Sequence, residues 1–251
     1  MIHAFNFTCD RDLDLSVLMI STFLKYCPNG TISTTNTDST LPYKGYGNGS
    51  GWPQSMMKVK AMSDILKTKN VADDDFILSV DSDVVFCSPE VFKYVNHQYG
   101  IIGTKHRPNY QTHFKQWSHM SGALIFIRGD IAKKICALDE TETNKIRFQQ
   151  FKPYNLTENE DVVLSYLAKY VGAEYFDLGT VAGLSSGNFE GDVVYLKTLI
   201  DTDGMAGSRG PSQFMKSFYH LNYCPDYFLG EPVYKGKWNI PAILKKKNIE
   251  L

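Results

Sequence analysis

The sequence predicts an α/β domain with a mostly parallel central sheet and helices on both faces. Three observations carry this reading. Phe76 to Val80 (FILSV) is an uninterrupted apolar run, the pattern of a central parallel strand covered on both sides. Strand-like and helix-like segments alternate along the chain, as they do where crossover helices connect parallel strands. A chain of 251 residues, 43% apolar and 21% charged, can also bury a sizeable core. No internal repeat and no separating linker is evident, so residues 1–251 are read as a single domain.

The elements follow in order. Ile2 to Thr8 (IHAFNFT) is aromatic and β-favouring, hence a strand, and Asp12 to Tyr26 carries apolar residues at 13, 17, 20 and 24, a helical stripe. Pro28 to Trp52 is rich in Ser, Thr, Gly and Asn and reads as a long loop with one short strand near Ile32. Pro53 suits a first helical turn, and Met56, Val59, Met62 and Leu66 form one face of a helix ending near Asn70. After FILSV, Ser88-Pro89-Glu90 resembles an N-cap and first turn. Ile101-Ile102 and Ala123 to Ile127 are buried-strand candidates, and Glu160 to Val171 is a helix. Short strands are expected at Glu174 to Leu178, Val193 to Leu196 and Ser217 to Leu221.

Composition excludes several functions. With 26 Lys plus Arg against 27 Asp plus Glu, no global field holds a nucleic acid, and none is expected as a partner. The longest apolar stretch, Leu15 to Leu24, is interrupted by Ser and Thr and falls well short of the roughly 20 residues a bilayer span needs. Met1 is followed directly by a strand-like segment with no basic region, so no signal peptide is expected. Five cysteines (Cys9, Cys27, Cys87, Cys136, Cys224), never in a C-x-x-C pair, fit reduced thiols and a cytoplasmic setting. Sequons at Asn6, Asn29, Asn48 and Asn155 are then read as chance.

The sharpest chemical feature is Asp81-Ser82-Asp83, two carboxylates one residue apart, directly after the apolar strand. Ligands of open α/β sheets bind at the C-terminal strand ends. Paired carboxylates there suit a hard cation, Mn²⁺ or Mg²⁺, that also takes phosphate oxygens. Two enzyme classes use such a motif. Phosphatases of the haloacid dehalogenase type open on a similar D-x-D, but the later acid pair expected to hold magnesium is incomplete, since Gly191-Asp192 is followed by Leu196.

The other class is the GT-A glycosyltransferases, and the order of segments resembles theirs. Strand, Asp10, helix, long loop, helix, apolar strand and DSD are similar to the nucleotide-binding half of the lipopolysaccharide galactosyltransferase and glycogenin group. MSGALIFIRGD (120–130) resembles that group's F-N-A-G-V segment. NEDVVLSYLAKYVG (159–172) is similar both to its D-Q-D helix and to the E-D-V helix of inverting β-galactosyltransferases, and FYHLN (218–222) resembles the late strand whose histidine completes the metal site. The K-P-W that follows that histidine in the retaining group has only an approximate counterpart in Gly236-Lys237-Trp238.

The resemblance implies a GT-A-like domain with a nucleotide-binding half at 1–90 and an acceptor and catalytic half at 91–251. It implies transfer of a sugar from a nucleotide diphosphate donor, expected to be a uridine one, to a hydroxyl of a glycan or glycoconjugate. Asp81, Asp83 and His220 would hold the metal. Thr8 and Asp10 would meet the nucleoside, with Asp81 near the ribose, and Lys58 and Arg209 would face the diphosphate. Asp161, with Glu160 beside it, is the expected base of an inverting reaction; a retaining reaction, a haloacid dehalogenase-type phosphatase, or a non-catalytic sugar-nucleotide or glycan-binding module, is the alternative. Each residue also has a plain reading. Thr157-x-x-Glu160 is a capping-box pattern, and acids in a first helical turn favour the helix dipole. His220 sits in an alternating strand as a core histidine would. The histidines at 97, 106, 113 and 119, mixed with Lys105, Arg107, Tyr110 and Trp117, form an acceptor wall or a surface loop. The tail from Tyr234 to Lys247, with five lysines, could touch an anionic membrane or form a solvated helix.

Overall fold

The computed structural model describes residues 1–8, 13–36, 52–82, 84–86, 89–106, 119–153, 158–178, 214–215, 218–220, 227–228 and 231–232. Asp10, Asp83, Arg209, the expected strand Val193 to Leu196 and the Lys-rich tail lie outside them. The elements are β1 (Ile2–Thr8), α1 (Leu13–Tyr26), β2 (Thr31–Asn36), α2 (Trp52–Thr68), β3 (Phe76–Val80), β4 (Val84–Phe86), a 3₁₀ helix (Pro89–Tyr94), β5 (Ile101–His106) and β6 (His119–Arg128). Then come α3 (Gly129–Cys136), α4 (Glu140–Ile146), a π-helical turn (Arg147–Phe151), α5 (Glu160–Tyr170), β7 (Tyr175–Asp177), β8 (Phe214–Met215), β9 (Phe218–His220), β10 (Tyr227–Phe228) and β11 (Glu231–Pro232). The fold is α/β, with a six-stranded sheet in the order β2-β1-β3-β6-β5-β7. The chain clusters into two compact units: Met1–Phe5, Thr40–Ser79 and Asn96–Asp177 in the first, Asn6–Ser39, Val80–Val95 and Leu178–Leu251 in the second.

In the first unit β1 runs parallel to β3, from Ile2 opposite Phe76 to Phe5 opposite Ser79. β7 is parallel to β5, whereas β6 is antiparallel to it, with a register irregularity between Gly103 and Lys105. All five residues of β3 are buried, as an apolar strand with both faces covered requires. α5 and α3 pack on β6. α3, which periodicity from a single strand-like run did not suggest, buries Ile131, Ala132 and Ile135 at i, i+1 and i+4. Its start is fixed by the loop before β3. Gly129 donates its N–H to the Asp75 carbonyl at 2.7 Å, and a Cβ on Gly129 would lie 2.1 Å from the Ala72 carbonyl oxygen. Only glycine fits that approach.

In the second unit α1 is apolar on two faces. Leu18, Met19 and Phe23 are buried, together with Ser16 and Thr22. The stripe that marks this helix in the sequence is the outer one: Leu13, Val17 and Leu24 are 43%, 62% and 42% exposed. α1 packs on β4, and Thr22 joins them. Its hydroxyl donates to the Leu18 carbonyl at 2.9 Å and accepts the Phe86 N–H at 3.2 Å. Phe23, Phe86 and Phe92 form a ring cluster with centroids 5.4–6.0 Å apart. β4 is antiparallel to β9, which is antiparallel to β8, and β10 pairs with β11. Pro89 opens a 3₁₀ helix rather than an α-helix. Among the described residues Cys27 and Cys136 are free thiols, and no helix is long and apolar enough to cross a membrane.

Candidate active site

In the first unit three acids, Glu158, Glu160 and Asp161, cluster at the start of α5. The helix begins at Glu160 with Asn159 as N-cap, so Glu160 stands at the first helical position and not at the third, where the capping-box pattern puts it. Each acid there takes a separate partner. The Glu160 carboxylate lies 3.1 Å from the Lys58 ammonium, whose side chain, on α2, is only 4% exposed. Lys58, expected to face a diphosphate, is therefore enclosed beside Glu160. A buried lysine keeps its charge only next to such a counter-ion.

Asp161 is held at both oxygens. Oδ1 accepts the Val162 N–H at 2.8 Å, satisfying one of the first-turn donors that an α-helix leaves without a partner in its own backbone. Oδ2 lies 3.5 Å from Nε2 of His119, the first residue of β6. His119 is 7% exposed and the Asp161 side chain 20%, so the carboxylate remains reachable while the imidazole is enclosed. Two further contacts bring β6 and α5 together here. The Met120 N–H donates to the Ser165 hydroxyl at 2.9 Å. A Cβ on Gly122 would meet the Asp161 Cβ at 3.3 Å, so glycine lets the strand approach the acid.

One residue before the cap, Glu158 ties three elements. It accepts Nε and a terminal nitrogen of Arg147 at 2.7 and 2.8 Å, a bidentate pair, and lies 3.1 Å from the Lys152 ammonium. It also accepts the Trp52 N–H at 3.2 Å, and its own carbonyl accepts the Ser55 hydroxyl at 2.7 Å. α2 has no acid in its own first turn, and Glu158 supplies one in space. The Arg147 hydrogen bonds, with Lys152 and the Trp52 N–H, hold the Glu158 carboxyl down at about 2 against its desolvation. Arg147 also lies over the Trp52 ring at 5.8 Å, and Phe151 meets Trp52 and Tyr166 edge-on.

In the second unit Asp81 is half-buried, and its carbonyl accepts the Val84 N–H at 3.2 Å, closing the connection to β4. The backbone register of β4 and β9 sets Val84 opposite His220, Val85 opposite Tyr219 and Phe86 opposite Phe218. Thr8, at the end of β1, is 3% exposed, and Asn6 is 1% exposed. The structure thus joins Lys58 to Glu160 and pairs the strand after Asp83 with the strand of His220. Glu158, Arg147 and the His119–Asp161 contact were missed from sequence. No local spacing links them; the nearest signal was His119 itself, noted only as part of a histidine-rich stretch.

No family model and no curated protein matches the sequence. Solved structures to which the chain is similar include mouse xyloside xylosyltransferase 1 in its apo form, at 10% identity and a TM-score of 0.49 over 88% of this chain and 98% of that one. A glycosyltransferase involved in the glycosylation of the major capsid of PBCV-1 gives 12% identity and 0.43 over 72% of this chain and 84% of that one. The catalytic domain of Drosophila beta1,4galactosyltransferase 7, in complex with xylobiose, gives 12% and 0.41 over 72% and 66%.

Proposed function

We propose that the chain is a metal-dependent glycosyltransferase that moves a sugar from a nucleotide diphosphate sugar, with uridine as the expected base, to a hydroxyl of a glycan or glycoconjugate. The observation that carries this reading is the β4–β9 register. It pairs His220 with Val84, the residue directly after the D-x-D sequence, so the strand that follows the two acids lies beside the strand of a histidine distant in the chain. Two carboxylates suit Mn²⁺ or Mg²⁺, and of the two Mn²⁺ accepts an imidazole nitrogen more readily. Asp81, Asp83 and His220 would hold such an ion, whose charge offsets that of the leaving diphosphate.

Asp161 acts as the base. Its carboxylate takes the proton of the acceptor hydroxyl while that oxygen attacks the anomeric carbon from the side opposite the leaving group, which inverts the configuration. Helix α5 supports the role: the Val162 N–H fixes one oxygen, and the other faces the enclosed His119. Glu160 holds Lys58 instead of sharing the proton transfer. Thr8, Asp10 and Arg209 are assigned to the donor on the resemblance alone.

The test is a thermal-shift panel of nucleotide sugars with and without Mn²⁺, followed by assay of nucleoside diphosphate release. A ligand at 100 times its dissociation constant adds about 2.7 kcal/mol of stability. Metal-dependent stabilisation with turnover is expected, and Asp83→Ala should abolish both. Tight binding with no turnover would make the chain a binding module. A phosphorylated Asp81 after incubation with phosphate esters would make it a phosphatase.

A further inference from the structure

We infer that His119 is a positioning residue for Asp161, setting the carboxylate's orientation for proton transfer; this rests on the base assignment proposed above. The geometry that carries it is local to the first unit. Nε2 of His119 stands 3.5 Å from Oδ2 of Asp161, and Oδ1 is taken by the Val162 N–H at 2.8 Å. A carboxylate on a first helical turn can otherwise rotate about its side-chain torsions and present either oxygen. With one oxygen on a backbone donor and the other against a ring, one orientation is selected. Proton transfer depends steeply on such placement, because a base works only within hydrogen-bond reach of the proton it takes.

His119 is itself fixed. It is 7% exposed and opens β6, whose next residue, Met120, donates its N–H to Ser165 on the same helix as Asp161, at 2.9 Å. Three residues into the strand, Gly122 leaves room for Asp161, with its virtual Cβ 3.3 Å from the Asp161 Cβ. Strand and helix are therefore locked at three successive points around the acid. His119 touches Asp161 and acts through it, so it is not a catalytic residue.

Two measurements test the inference on the full chain. The first needs no substrate: thermal unfolding of His119→Gln, Asp161→Asn and the double variant. Residues in contact give a double variant whose shift in midpoint departs from the sum of the single shifts, whereas sites without shared contacts add. An additive cycle overturns the inference. The second uses Mn²⁺ with UDP-glucose, UDP-galactose and UDP-xylose, following UDP release. His119→Ala should lower kcat at least 10-fold with KM for the donor within about twofold, His119→Gln should recover most of it, and adding His119→Ala to Asp161→Asn should cost nothing further. Unchanged kcat in His119→Ala beside a dead Asp161→Asn overturns the positioning role alone. Full activity in Asp161→Asn overturns the base assignment and this inference with it.

Discussion

Asp161, the proposed base, and Glu158 stand three residues apart at the start of α5 and take different partners. Asp161 keeps a partly open carboxylate, and Asp161→Asn should lower the transfer rate roughly 10²- to 10⁴-fold while the affinity for the nucleotide sugar stays unchanged. NMR of the fresh product then reads the stereochemistry: an anomeric coupling that matches the donor's configuration would discard the base role. Glu158 is spent on structure. Its carboxyl is held at about 2 against an ordinary 4.5, chiefly by the Arg147 hydrogen bonds. A depressed carboxyl stabilises the fold above its unfolded value, and that contribution is lost as pH falls from about 4.5 toward 2, on the order of 3 kcal/mol in full. Glu158→Gln should therefore melt well below the wild type at pH 7, with the gap closing through that window, as calorimetry against pH will show. A constant gap would mean that the network stabilises by packing rather than charge.

At the scale of elements, the two faces of α1 make opposite forecasts. Phe23→Ala should cost about 3–5 kcal/mol, since the ring is fully buried against Phe86 and Phe92. Val17→Ser, on the 62% exposed face, should change stability by less than about 0.5 kcal/mol in the same denaturant titrations. The helix was legible from its stripe, but a period alone does not say which of two apolar faces turns inward, and the packing on β4 decides it. Gly129→Ala forecasts a different failure: its methyl meets a backbone oxygen and cannot be relieved by rotating a side chain, so loss of soluble protein is expected. β4 was not legible at all. Three residues directly after a turn carry no period, and their strand state comes from β9, more than half the chain away. α3 was hidden because Arg128-Gly129-Asp130 reads as the end of a strand.

For the whole molecule, the α/β class and the long buried strand were plain in the sequence because they follow from runs of one residue type. The Asp81-Ser82-Asp83 sequence stood out for the same reason, as two acids after an apolar run. What could not be read is what depends on distant pairing: the antiparallel β6 inside a mostly parallel sheet, and the Glu158 network, whose partners come from α2 and the π-helical turn. Lys58 shows the limit well. The resemblance assigns it to the diphosphate, and only tertiary structure reveals that its side chain is enclosed beside Glu160.

The pairing of β1 with β3 also has a consequence for synthesis. Ile2 pairs with Phe76, so β1 has no such partner until β3 has left the ribosome. At about 5–20 residues per second, the wait is on the order of several seconds, during which an apolar segment with an unpaired edge is in reach of chaperones and of other nascent chains. Arrested chains that end before Phe76 should be held by chaperones or aggregate, and chains extended beyond β6, with β3 released and a second neighbour for it in place, should be the shortest in which β1 resists protease.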